Sequence, residues 1–311
     1  MEVLTAVDRG RIAELRGRHE FFWLDLSNPP ATDLESIADL LDLHPAAIED
    51  TLEWDQIPKL DDYGEHVTLV FFSARPSETG AEPLEVHVHV SGGYILTVRR
   101  DPCGLESLHE WLRQDPPDCE DQILYYILDA LADGWDPVID SLDRRVDEVE
   151  AEVLQRPQQK HLRQIYRLKQ DVGDLGRHAR PQAEVLPRAV EVIHAMPGVT
   201  RGSREWLRDV TTHVEGTATD LDRLSGDLAG LTDTFFNANA NRLNRLATLI
   251  AVASVFFLWW TLVAGFFGQN FKWLVDSVDT RTDFLVFGVG GLVVPSLLIA
   301  WVLYKRRADW W

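Results

Sequence analysis

"LATLIAVASVFFLWWTLVAGFFGQNF", residues 246–271, runs from Leu246 to Phe267 without a charged side chain and then closes on Gly268, Gln269 and Asn270. A helix needs about 20 apolar residues to cross the hydrocarbon core of a bilayer, and residues 246–267 meet that length. A second stretch, "FLVFGVGGLVVPSLLIAWVLY" at 284–304, meets it as well. The link 268–283 leaves room only for a tight hairpin, so the two spans run antiparallel. Arg242 and Arg245 precede the first span, and Lys305, Arg306 and Arg307 follow the second, which places both ends in the cytoplasm; Lys272 and Arg281 in the link weaken the contrast slightly. Trp259, Trp260, Trp273, Trp301, Trp310 and Trp311 fit interfacial belts in part.

The whole chain has 311 residues, 45% of them hydrophobic, and a formal charge of −20 with a pI near 4.8. Binding nucleic acid requires a basic surface that displaces counterions, so this balance argues against it. Small cations are the natural partners of such a field, although acidity also serves solubility alone. Cys103 and Cys119 show neither paired metal-ligand spacing nor a disulfide framework and read as thiols in a reducing compartment. The start, "MEVLTAVDRG", lacks a basic segment followed by an apolar one, so no cleavable signal is expected and the first part of the chain stays in the cytosol.

Residues 1–118 read as an α/β domain. "FFWLDL" (21–26) predicts a strand ending in "SNPP", and Thr32 or Asp33 is placed to cap a helix holding Leu34, Ile37, Leu40 and Leu41. "HVTLVFFSA", "LEVHVHV" and "YILTVRR" predict further strands, the last two joined at "SGG" in a hairpin. His87 and His89 then share one face of their strand. They could hold a metal, but with no third ligand nearby a polar sheet face is the simpler reading. Residues 119–202 read as long cytoplasmic helices, 119–155 and 158–195, hinged at "RPQ", with Pro181 and Pro187 expected to kink or break the second. "DSLDRRVDEVEAE" reads as a solvated face.

A stalk helix is predicted over 203–245. Its apolar residues Leu207, Val210, Val214, Leu221, Leu224, Leu228, Leu231 and Phe235 alternate by threes and fours, interrupted only at Thr217, which is a heptad seam of the coiled-coil kind. No proline lies between Gly202 and Pro295, so this helix can continue into the first span, about 65 residues and about 95 Å in all.

On a neighbouring face the same spacing yields Asn237, Asn241, Asn244, Ala247, Ala251, Ser254, Leu258, Thr261, Gly265 and Gly268. Apart from Leu258, all are small or polar, while Phe256, Phe257, Trp259, Trp260, Phe266 and Phe267 fall elsewhere. Close helix packing explains such a stripe, and so does a pore wall. Two spans cannot enclose a channel, so a pore requires several copies around an axis, each stripe residue becoming a ring. Gly268, Gln269 and Asn270 would then form the ion mouth, and Leu258 an apolar constriction that gates by dewetting. Amide oxygens suit hard cations, and magnesium gives up its water reluctantly, so recognition through its hydration shell is reasonable. Helix C-capping, for which glycine and asparagine are also favoured, is the alternative explanation.

"AGFFGQNF" is similar to the end of the first span in the CorA family of divalent-cation channels and transporters, whose signature is Gly-Met-Asn followed by an aromatic residue. "LHPAAIEDTLEWDQIPKLDDYGEHV" (43–67) resembles the family's cytoplasmic signature, and "RDVTTHV" (208–214) resembles part of its stalk helix. The resemblance covers essentially the whole chain. It implies an α/β cytoplasmic domain, a long stalk helix that becomes the pore-lining span, a peripheral second span and a funnel-shaped homopentamer in the inner (plasma) membrane of a prokaryote. It further implies that Gly268 and Asn270 form the outer selectivity ring, that Asn244, Leu258 and Thr261 face the pore, and that Asp209 belongs to an intersubunit magnesium sensor. Asp61, Asp62 and Glu65 are candidates for its partner carboxylate. Gln269 stands where the family usually has methionine, Trp259 where a proline is common, and Lys272 near a mouth that is often acidic.

The implied function is divalent-cation transport, foremost a magnesium channel gated by cytosolic cation, with magnesium as substrate and regulator and no other cofactor. Family branches with altered Gly-x-Asn motifs include proton-coupled zinc transporters, which keeps zinc, cobalt or nickel transport as the alternative. A membrane-anchored coiled-coil sensor without transport is the reading from another class. No phosphate loop, nucleophile elbow or zinc-hydrolase motif is present, so an enzyme is not expected. The spans hold no thiolate, imidazole or charge, which favours a hard cation and argues against an internal proton relay.

Overall fold

The computed structural model describes residues 2–77, 80–114, 121–196, 203–269, 272 and 280–305. Cys119, Gly202, Asn270, Phe271, Trp273, Arg306, Arg307, Trp310 and Trp311 lie outside them. The chain divides into two compact units, Met1–Phe235 and Phe236–Trp311.

The first unit is built on a six-stranded sheet in the order β1-β2-β6-β5-β4-β3, with β1 Glu2–Leu4, β2 Phe22–Ser27, β3 Lys59–Asp62, β4 His66–Ser77, β5 Gly80–Ser91 and β6 Tyr94–Arg99. β1, β2 and β6 are parallel, and β6, β5, β4 and β3 are antiparallel. The expected hairpin is present, Ser91 pairing with Tyr94 across two glycines. On one face, α1 (Arg9–Gly17), α2 (Ala31–Leu41) and α3 (Pro45–Leu52) bury Ile12, Leu34, Ile37 and Ile48 against Phe22, Leu24, Tyr94 and Leu96. Neither Thr32 nor Asp33 caps α2. The helix starts at Ala31, behind Pro30, which makes no side-chain capping bond.

The other face, carrying Trp23, Leu69, Phe71, Val86, Val88 and Ile95, is covered by α4 (Leu105–Gln114), α5 (Asp121–Asp133) and parts of α7 (Gln159–His194) and α8 (Ser203–Phe267). Below it α6 (Asp136–Gln155), α7 and α8 share a core of Leu142, Val149, Leu168, Leu175, Leu224 and Leu228. Every residue of the predicted seam in α8 is buried within the chain, Leu207, Val210 and Val214 in the cluster on the sheet and Leu221, Leu224, Leu228, Leu231 and Phe235 in this one. Thr217 fills the interruption, buried, with its hydroxyl donating to the His213 carbonyl at 3.3 Å.

Two helix expectations need correction. The segment 119–155 is not one helix, because α5 ends at Asp133 and α6 begins at Asp136. A Cβ on Gly134 would stand 2.1 Å from Ser73 Oγ, so only glycine allows this close approach to β4, and the next residue, Trp135, donates its indole N–H to the Phe72 carbonyl at 2.9 Å. Pro181 and Pro187 do not break α7, which continues through both. Beside Pro181, Gln182 reaches into the sheet, accepting from Phe72 N at 2.6 Å and donating to Phe72 O at 3.0 Å, so tertiary bonds hold the turn that proline weakens.

In the second unit, the span end of α8 is accompanied by a last helix, Arg281–Lys305, whose turns at Phe284–Val289 are π-helical. Both are long and apolar enough to cross a membrane.

Candidate functional site

Along the membrane-length part of α8, residues 246–267, the half-buried residues are Thr248, Val252, Phe256, Trp259 and Val263, and these mark the side facing the last helix. Trp259 Nε1 donates to the Gly291 carbonyl at 3.1 Å, and Trp260 Nε1 to Ser296 Oγ at 3.0 Å. Phe256 and Trp260 line an apolar crevice with Leu292, Val293 and Ser296. The indoles therefore tie span to span. Trp301, by contrast, is exposed with Lys305 Nζ 5.4 Å from its ring centre, as an interfacial pair would be.

The small-residue stripe lies elsewhere on α8. At about 100° per residue, Ala247, Ala251, Ser254, Leu258, Thr261 and Gly265 centre about 140° from the face that meets the second span. All of them are exposed, as are Asn237, Asn241, Asn244, Gly268 and Gln269, and Leu258 is 70% accessible. Close packing against the chain's own second span therefore does not explain the stripe. Ser254 and Thr261 donate their hydroxyls to the carbonyls of Ile250 and Phe257 at 2.8 and 2.7 Å, which leaves oxygen lone pairs as the outward polar groups. At the end of the span, Gly268 N donates to Ala264 O at 2.9 Å and Gln269 N to Phe266 O at 3.3 Å, so the Gly-Gln pair does close the last helical turn.

A separate cluster occupies the first unit. Oxygens of Asp129 and Asp133 on α5 and a ring nitrogen of His213 on α8 all lie within 4.8 Å of one another, a spacing that one cation with ligand distances of about 2.1–2.5 Å can bridge. Burial, then the carboxylates of Asp133 and Asp209, push the Asp129 carboxyl above its usual range against the pull of His213. Asp209 thus acts on Asp129, an acid that the sequence reading did not single out. The signal was present: Asp129 and Asp133 are four apart, as are Asp209 and His213, so each pair shares a helix face. Of the three candidates for Asp209's partner across a subunit boundary, Asp61, Asp62 and Glu65, the first lies 3.6 Å from Lys59 Nζ and the second accepts from Gly64 N at 2.9 Å within the chain.

The stretch 43–67 folds as a clasp. His44 caps α3 by accepting from Ala46 N at 3.2 Å, Pro45 takes the first turn, Asp50 pairs with Lys59 at 2.6 Å, and Tyr63 stacks between His44 and His66 at 4.6 and 5.0 Å. His87 and His89 are buried, not set on an open polar face. His89 bonds Thr68 at 2.9 Å and Thr51 at 3.0 Å, His87 bonds Glu85 at 2.9 Å, and neither joins a metal-holding group among the described residues.

Comparison with known proteins supports the same architecture. Residues 18–306 match the model of a family described as CorA-like Mg2+ transporter protein. YfjQ of Bacillus subtilis is 24% identical over 92% of this chain and 89% of its own. The cobalt/magnesium transport protein CorA of Thermotoga maritima is 22% identical over 93% of this chain and 83% of its own. The solved CorA magnesium transporter of Methanocaldococcus jannaschii shares the fold with a TM-score of 0.75 at 15% identity, covering 93% of this chain and 91% of that one. With a family match over nearly its full length, two membrane-length helices and a sheet domain of the matching fold, this chain belongs to the CorA-like Mg2+ transporter family, whose members are divalent-cation transporters and not enzymes.

Proposed function

We propose that this chain is a magnesium channel of the plasma membrane, assembled from several copies, most simply five, with both termini in the cytoplasm. The supporting observation is the stripe on α8: small and polar side chains line a membrane-length face that the chain's own second span leaves uncovered. In a ring of copies that face turns to the axis, with Leu258 as the apolar gate and Thr261 and Asn244 as polar rings. Gly268, Gln269 and Asn270 form the outer mouth in this reading. Magnesium is favoured because neither span sequence supplies a thiolate or imidazole to strip its water, and both lack the ionisable relay that proton coupling needs.

The cytosolic regulatory site is the cluster of Asp129, Asp133 and His213 beside Asp209. Its oxygen-rich donor set and its like-charge crowding fit a divalent cation, which would relieve the repulsion when bound. Ion flux into liposomes, compared for magnesium, nickel, cobalt and zinc with and without a pH gradient, tests the proposal. Voltage-driven magnesium flux indifferent to pH is the expected result; zinc flux that follows the proton gradient would replace the channel with a coupled transporter.

A further inference from the structure

Pro295 lies inside the last helix and has no N–H, so the carbonyl of Gly291, four residues earlier, loses its helical partner. In hydrocarbon such an orphaned carbonyl is costly, since no water is present to bond it. The structure supplies a partner from the other span: Trp259 Nε1 donates to Gly291 O at 3.1 Å. One turn on, Trp260 Nε1 donates to Ser296 Oγ at 3.0 Å, and that hydroxyl donates to Leu292 O at 2.6 Å. Adjacent indoles on the first span thus meet adjacent acceptor sites on the second, and the two bonds together restrict both rotation and sliding of one helix against the other.

We infer that Trp259 is a positioning residue for transport: through the Gly291 carbonyl that Pro295 frees, it fixes the rotation of the first span and so aims the stripe of Ser254, Leu258 and Thr261. The inference rests on the reading of that stripe as the pore wall. Rotation is the quantity at stake, because at about 100° per residue a slip of one position would replace Leu258 by Phe257 or Trp259 at the constriction. A helix–helix contact made only of apolar side chains has no comparable directional bond.

The relationship yields a specific cycle. Trp259→Phe removes the donor, and Pro295→Ala restores the backbone N–H that bonds Gly291 within its own helix. Trp259→Phe alone should lower the unfolding midpoint of the detergent-solubilised full-length protein by about 2–4 °C and cut magnesium flux in liposomes roughly threefold or more. In the Pro295→Ala background both effects should largely vanish. The indole N–H resonance of 15N-labelled Trp259 supplies a second readout, moving on Pro295→Ala while that of Trp260 stays, and moving for Trp260 on Ser296→Ala. Additive midpoints, or a Trp259 resonance indifferent to Pro295→Ala, would overturn the bond. A coupled midpoint with unaltered flux and ion preference in Trp259→Phe would overturn the positioning role. Thr261→Trp in the same liposomes tests the underlying pore reading separately: continued flux there removes the pore while the unfolding coupling stands.

Discussion

His213 Nε2 on α8 lies 3.1 Å from Asp136 Oδ1 at the first residue of α6, so the one imidazole of the acidic cluster is oriented by a carboxylate outside the trio. Such an outer partner fixes the orientation of the ring as a ligand. Magnesium at about 100 times its dissociation constant should stabilise the full-length protein by about 2.7 kcal/mol if it binds only the folded form. Asp129→Asn with Asp133→Asn should remove that gain in a thermal-shift titration, whereas His213→Ala should weaken cobalt and nickel more than magnesium, as ligand softness dictates. A magnesium gain that survives the double substitution would dissociate the cluster from regulation.

Bulk on the stripe should stop conduction. Ala251→Phe is expected to lower magnesium flux more than about tenfold with the oligomer intact by native mass spectrometry, and Leu249→Phe, about 160° round the same helix, to change it less than about twofold. Equal effects of the two would place the conducting path elsewhere.

If Gly268, Gln269 and Asn270 form the mouth as proposed, Asn270→Ala should alter the order of preference among magnesium, cobalt, nickel and zinc in the liposome assay without loss of assembly. An unchanged order would take Asn270 out of ion recognition.

The sheet domain has its own sensitive point. Asp25 is buried on β2 and accepts from Thr97 Oγ1 at 2.6 Å and Arg99 Nη2 at 2.9 Å, with His109 Nε2 at 3.0 Å. Burial raises its pKa, but bonds from His109 and Arg99 outweigh this and hold the carboxyl below its usual range. Asp25→Ala leaves Arg99 charged and underpaired in the interior and should cost roughly 3–5 kcal/mol in a denaturant titration. A loss under about 1 kcal/mol would show that Glu106, 2.6 Å from Arg99 Nη1, suffices as its partner.

Acid sensitivity should come in part from His89, whose pKa burial lowers to about 3. The unfolded chain takes up this proton below about pH 6.5 while the folded one does not, so stability is full above that pH and declines as pH falls toward 3, by at most roughly 1.4 kcal/mol per unit. His89→Gln, which keeps an amide between Thr51 and Thr68, should flatten the decline between pH 6.5 and 5. An unchanged slope would assign it to other groups.

The parts legible in the sequence were those with an unambiguous period. The seam from Leu207 to Phe235, the two charge-free spans and the strands around Val86–Val90 each repeat one spacing long enough to exclude alternatives. β1 and β3 escaped notice because they are the sheet's two edges: β1 has three residues, and β3, "KLDD", is mostly charged, as protected edges are. The break at Gly134 depends on a neighbour, Ser73, far away in sequence, and no local pattern reports it. For the site, the stripe could be read from spacing, but its separation from the second span could not, since that depends on which indole meets which carbonyl. Asp129 and Asp133 were hidden among the many acids of a strongly negative chain, and only the approach of His213 sets them apart.

The charge-free spans also determine how the membrane potential acts. A field does about 2.3 kcal/mol of work per elementary charge per 100 mV, and side chains of residues 246–267 and 284–304 offer it no charge to move. A divalent ion crossing the same distance receives about twice that work. In the channel proposed above, voltage therefore performs its work on the passenger and finds no charge in the span side chains to move, so it acts as an engine and not as a switch.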